Sequence, residues 1–107
     1  NVVKKSKIIA FLANAELLTN DLELSLIRQL SKFEIMILET VKNVNPKLVA
    51  QYLYELADLF NTYYEKTPIM REKDLDISTA RIGLTKATQL ILAESLHLLG
   101  MVPLDKM

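Results

Sequence analysis

The sequence predicts an all-α protein, a bundle of five helices built as a single domain over residues 1–107, and three observations predict it. Apolar residues recur at spacings of three and four throughout, with no convincing strand alternation. Only two glycines and three prolines interrupt 107 residues. Half of the chain is hydrophobic, enough for one core without disulfides, and a chain of this length buries roughly two-thirds of its unfolded surface.

The first helix is expected from about Val2 to Asn14, with Val3, Ile8, Phe11 and Leu12 inward. Residues 15–19 connect it to a second helix that starts at Asn20, an N-cap with Glu23 three residues on, the capping-box spacing. The second helix carries the stripe Leu22, Leu26, Ile27, Leu30 and Phe33. A short third helix, about Glu34 to Lys42, is expected to pack through Ile35, Leu38 and Val41. Asn45-Pro46 is a strong start signal for the fourth, which runs to about Glu65 on the stripe Val49, Leu53, Leu56, Phe60 and Tyr63. A charged loop follows Pro68. The fifth helix spans about Ile77 to Leu99, with Ile77, Ala80, Leu84, Ala87, Ile91 and Leu98 inward and Leu92, Leu96 and Leu99 widening that face. This girth marks it as central, with Gly100 as its C′ cap.

Composition excludes several functions. There is no cysteine, hence no disulfide framework and no thiolate metal site. No apolar run approaches the roughly 20 residues of a membrane span. Thirteen basic residues balance thirteen acidic ones, which argues against a chain that holds nucleic acid mainly through phosphate contacts. It leaves room for a domain that reads one exposed base while other parts grip the backbone. His97, the single histidine, sits near a helix C-terminus, where an imidazolium complements the dipole. Glu72, Asp74 and Asp76 lack the glycine and spacing of a calcium loop and read as a solvated segment before a helix. Arg81 is expected to form a surface ion pair with Asp74 or Asp76. The residues describe a non-catalytic helical module. The N-terminal KKSKII stretch reads as helix, not as a signal peptide, and the absence of an initiating methionine suggests a piece of a longer protein.

Every tyrosine lies within YLYELADLFNTYYE, residues 52–65. The helical wheel divides them. Tyr52 and Tyr63 flank the apolar stripe and belong mainly to the core, whereas Tyr54 shares a polar face with Asp58, Asn61 and Glu65, where an accessible ring can stack on a base. Tyr64, in the last turn, is open to two readings, core packing and base contact.

In order along the chain, Asp21-Leu22-Glu23-Leu24-Ser25-Leu26-Ile27-Arg28-Gln29-Leu30, Val49-Ala50-Gln51-Tyr52-Leu53-Tyr54-Glu55-Leu56-Ala57, Phe60-Asn61-Thr62-Tyr63-Tyr64-Glu65, Thr79-Ala80-Arg81-Ile82-Gly83-Leu84, Leu98-Leu99-Gly100-Met101 and the ending Pro103-Leu104-Asp105-Lys106-Met107 resemble one family. It is the C-terminal anticodon-binding domain of arginyl-tRNA synthetases, named for an Asp-Ala-Leu-Arg signature. The resemblance implies a five-helix anticodon-binding bundle. Its partners would be the anticodon loop of an arginine-accepting tRNA and a catalytic domain of the same protein, with no membrane or DNA partner, in the cytoplasm. It implies no catalytic residue, metal or cofactor here. ATP would bind in the parent ligase's catalytic domain, whose two signature motifs are not in this sequence.

By resemblance the anticodon contacts fall on Val3 and Lys7, where the family usually has tyrosine and arginine, on Tyr64, and on Met107; Tyr54 joins them from its place on the wheel. Lys7 keeps a charge without the planar fork of arginine, and Val3 cannot stack a base. Lys7 also reads as a solvated lysine and Met107 as a frayed terminus. Two other functions stay open: a helical protein–protein module that has lost RNA reading, and the equivalent domain of another aminoacyl-tRNA synthetase.

Overall fold

The structure, a computed structural model, describes residues 15–43, 45–67 and 72–100. Among these residues a 3-10 turn at Ala15–Leu17 is followed by four α-helices: α1 at Asp21–Ser31, α2 at Phe33–Asn43, α3 at Pro46–Lys66 and α4 at Leu75–Gly100. No strand occurs among them, in line with the all-α expectation. The expected first helix lies outside the described residues, so α1 to α4 correspond to the second to fifth helices of the sequence reading.

Local chemistry sets the helix ends. Asn20 is extended and its side-chain oxygen accepts the Leu22 amide at 2.7 Å, while the Glu23 carboxylate accepts the Asn20 amide at 3.2 Å, completing a capping box. The Lys32 amide turns back to the Gln29 carbonyl, so α1 stops at Ser31 and Phe33 opens α2 instead of closing α1. Asn45 caps α3 through the Lys47 amide at 3.1 Å, with Pro46 in the first turn, where its missing N–H costs nothing. Asp74 caps α4: its carboxylate accepts the Asp76 and Ile77 amides at 2.9 and 3.3 Å, and the helix begins at Leu75, two residues earlier than expected. Gly100 is the last helical residue, without the left-handed backbone a C′ cap requires.

α3 and α4 form the principal packed pair, α1 packs against both, and α2 packs mainly on α3. The core joins Leu18, Leu26, Leu30 and Met36 to Val49, Tyr52, Leu56 and Tyr63 of α3 and Ala80, Leu84, Ala87 and Ile91 of α4. Burying each large apolar side chain contributes about 1.5–3 kcal/mol. Two polar residues, Thr88 and Ser95, are also fully buried in α4. Their hydroxyls donate to the Leu84 and Ile91 carbonyls one turn back, both at 2.9 Å, so neither is left unpaired in the interior.

Two packing expectations are corrected. α2 turns Met36 inward with Phe33, Ile37 and Thr40 half-buried, while Ile35, Leu38 and Val41 are 60, 65 and 74% exposed. The segment FEIMIL is apolar on both sides, and docking on α3 selected the 33–36–37–40 face. Leu96, read as widening the inner face of α4, is exposed.

Candidate nucleic-acid interface

α3 carries the four tyrosines, and its turns separate them by burial. Tyr52 and Tyr63 are eleven residues apart, about 20° around the helix, and both are buried. The Tyr52 hydroxyl donates to the Gln29 carbonyl at 2.6 Å and its ring meets Phe33 at 5.9 Å. The Tyr63 hydroxyl donates to a Glu23 carboxylate oxygen at 2.9 Å. Burial pushes both phenols well above their ordinary pKa. For Tyr63 the Glu23 hydrogen bond and charge push further in the same direction, against the nearby Arg81 charge.

Tyr54 and Tyr64 point to solvent, 73 and 63% exposed. Ten residues separate them, about 15 Å along the axis and about 80° around it, so they do not make one stacking platform. Their settings also differ. Tyr54 lies on the face of Asp58, Asn61 and Glu65, all exposed, and that acidic strip repels a phosphate backbone. Tyr64 has an apolar ring behind it: Phe60, one turn back, lies 5.9 Å away at 52°. Lys66 adds positive charge in the same final turn. An exposed ring backed by a second one offers a base a flat apolar surface. Its exposure sets aside core packing, the first of the two readings of Tyr64. Val3, Lys7 and Met107 lie outside the described residues.

The polar centre of the molecule went unread in the sequence. Glu23, 1% exposed, stands where the start of α1 meets the end of α3 and the start of α4. One carboxylate oxygen accepts the Tyr63 hydroxyl and the Arg81 Nε–H, the latter at 2.8 Å, while the other accepts the Asn20 amide. Arg81 also reaches Glu72 at 3.3 Å. The expected surface pairing of Arg81 with Asp74 or Asp76 is therefore replaced by a buried one with Glu23, 58 residues away, and Asp74 caps α4 instead. Glu23 was legible only as half of a capping box; that its second oxygen serves two further donors follows from helix packing. No group of three or more histidine, cysteine or acidic side chains suited to a metal occurs among the described residues. No described helix is long and apolar enough to cross a membrane.

The described residues form a helical bundle with one exposed aromatic ring, Tyr64, packed on Phe60 at the end of α3, and comparison with known proteins gives its family. The model of the DALR anticodon binding domain matches residues 1–107. Among similar proteins, the arginine–tRNA ligase of Borrelia duttonii is 38% identical over 94 residues, covering 88% of this chain and 16% of that protein. The arginine–tRNA ligase of Methanopyrus kandleri is 32% identical over the same shares, and that of Pasteurella multocida 38% identical over 84% of this chain and 16% of the ligase. No solved structure matches significantly. The chain belongs to the DALR anticodon-binding domain family of arginine–tRNA ligases, and it spans about one-sixth of the length of these relatives.

Proposed function

We propose that this chain is the anticodon-reading domain of an arginine–tRNA ligase, holding the anticodon loop of an arginine-accepting tRNA while a catalytic domain of the same protein, in the cytoplasm, joins arginine to the tRNA with ATP. The observation that carries this reading is Tyr64, an exposed ring at the end of α3 backed by Phe60, in a chain of this family. RNA readers take single-stranded loop bases onto such rings. Lys7 and Met107 are proposed as further contacts and Val3 as a neighbour too small to stack; Tyr54, on its acidic strip, contributes less than Tyr64. These residues require no cofactor of their own, and ATP belongs to the catalytic domain.

The test is a titration of the 107-residue chain at low salt with an arginine-tRNA anticodon stem-loop and with one altered at the middle anticodon base. The reading expects discrimination between the two. It also expects Tyr64→Ala to weaken binding by about 1–3 kcal/mol, the value of one base stacked on an aromatic ring, with little effect of Tyr54→Ala. Equal affinity for both RNAs, or none for either, overturns it.

A second reading, a protein–protein module, is favoured by the exposed apolar face Ile35, Leu38 and Val41 on α2 and by the zero formal charge. Specific capture of a protein partner without RNA, lost on changing that face, would decide for it.

A further inference from the structure

Tyr64 lies in the last turn of α3, and a final turn lacks the following amides that would tie its carbonyls. This turn has no glycine cap; Thr67 ends it in an extended conformation, its amide donating to the Tyr63 carbonyl at 2.9 Å. What grips it laterally is Tyr63. The ring is fully buried, and its hydroxyl is held at 2.9 Å by the same Glu23 oxygen that Arg81 holds at 2.8 Å from α4. Successive residues on a helix point about 100° apart, so the direction of Tyr63 sets that of Tyr64. A buried ion pair is a poor source of net stability, since well-packed apolar groups often do as well, but its hydrogen bonds are directional. A buried carboxylate with three donors, from the cap residue Asn20, from α3 and from α4, fits a need for orientation.

We propose that Glu23 and Arg81 are positioning residues for RNA reading: they clamp Tyr63, and through it aim the Tyr64 ring. The proposal rests on the function proposed above. Glu23 is buried beyond the reach of an RNA base, so it acts through Tyr63. The clamp ties α1, α3 and α4 at the point where the reading ring leaves the bundle.

A matched pair of substitutions tests it. Tyr63→Phe and Tyr52→Phe each delete one hydroxyl from a buried tyrosine of α3, but only the first belongs to the clamp. Arg81→Lys is the third variant; it keeps a cation and loses the fork. Each is made in the 107-residue chain carrying 3-fluorotyrosine at position 64, with folding checked by circular dichroism. For the arginine anticodon stem-loop, the dissociation constant is expected to rise roughly three- to tenfold in Tyr63→Phe and Arg81→Lys, the scale of one lost hydrogen bond, and to stay within about twofold in Tyr52→Phe. The fluorine resonance at position 64 should shift or broaden in the first two variants only. Equal weakening by Tyr63→Phe and Tyr52→Phe, or a fluorine signal that Tyr63→Phe leaves unchanged, overturns the proposal. Absence of RNA binding by the unaltered chain would instead overturn the function reading, and the fluorine comparison would still decide whether the clamp orients the ring.

Discussion

Replacing Arg81 by methionine removes the cation from a carboxylate that is 1% exposed, while keeping a side chain of similar length and apolar reach. Stranding one member of a buried pair costs about 3–5 kcal/mol. Two features lower that figure here. Glu23 keeps the Tyr63 hydroxyl and the Asn20 amide, and the Arg81 side chain is 13% exposed, so water reaches part of the gap. We expect a loss of about 2–3 kcal/mol. In a chain of 107 residues each kcal/mol moves Tm by about 4–8 °C, which gives a fall of about 8–24 °C. Urea unfolding followed by circular dichroism measures it on the unaltered chain, Arg81→Met, Glu23→Gln and the double variant. Glu23→Gln keeps acceptor oxygen and shape but not charge, so the double variant should cost less than the sum of the singles by about 1 kcal/mol or more. A loss under about 1 kcal/mol, with additive singles, is what an exposed pair gives and would refute the buried-clamp account.

Asp74→Ala should cost about 1 kcal/mol in the same unfolding assay, as the loss of an N-cap does, and Asp76→Ala only a few tenths. On α2, replacing Ile35, Leu38 and Val41 singly by glutamine should change stability by no more than about 0.5 kcal/mol each, whereas Met36→Ala should cost about 2 kcal/mol; the reverse ranking would mean that α2 packs through its other face. Tyr52 and Tyr63 keep their protons in the folded chain at a pH where free tyrosine, with a pKa of about 10, loses them. Above about pH 10 the unfolded state therefore binds fewer protons than the folded one, and stability falls as pH rises, a contribution fully present below that pH. Comparing Tm at pH 9 and pH 11, the drop should be smaller when both tyrosines are phenylalanine; an equal drop would contradict the burial of the two phenols.

Interactions that reach no further than a turn or two of chain were readable one residue at a time. Asn20 with Glu23 and Asn45 with Pro46 mark helix starts because a cap needs only its own neighbours, and the wheel separates Tyr54 from Tyr52 and Tyr63 because a regular helix fixes their angles before any packing occurs. The ordered family stretches in residues 21–30, 52–57 and 79–84 carried the assignment to anticodon-binding domains for the same reason, being linear features of the chain. Tertiary structure decided what depended on a partner distant in sequence. The segment FEIMIL offers two apolar faces, and only docking on α3 chose Met36 over Ile35, Leu38 and Val41. Arg81 had acidic neighbours at Asp74 and Asp76, yet it pairs with Glu23, because the meeting of α1, α3 and α4 buries that carboxylate and a buried charge must find its partner there. Tyr64 could have faced either way from its place beside the apolar stripe; the burial of Tyr63 next to it turned the ring to solvent.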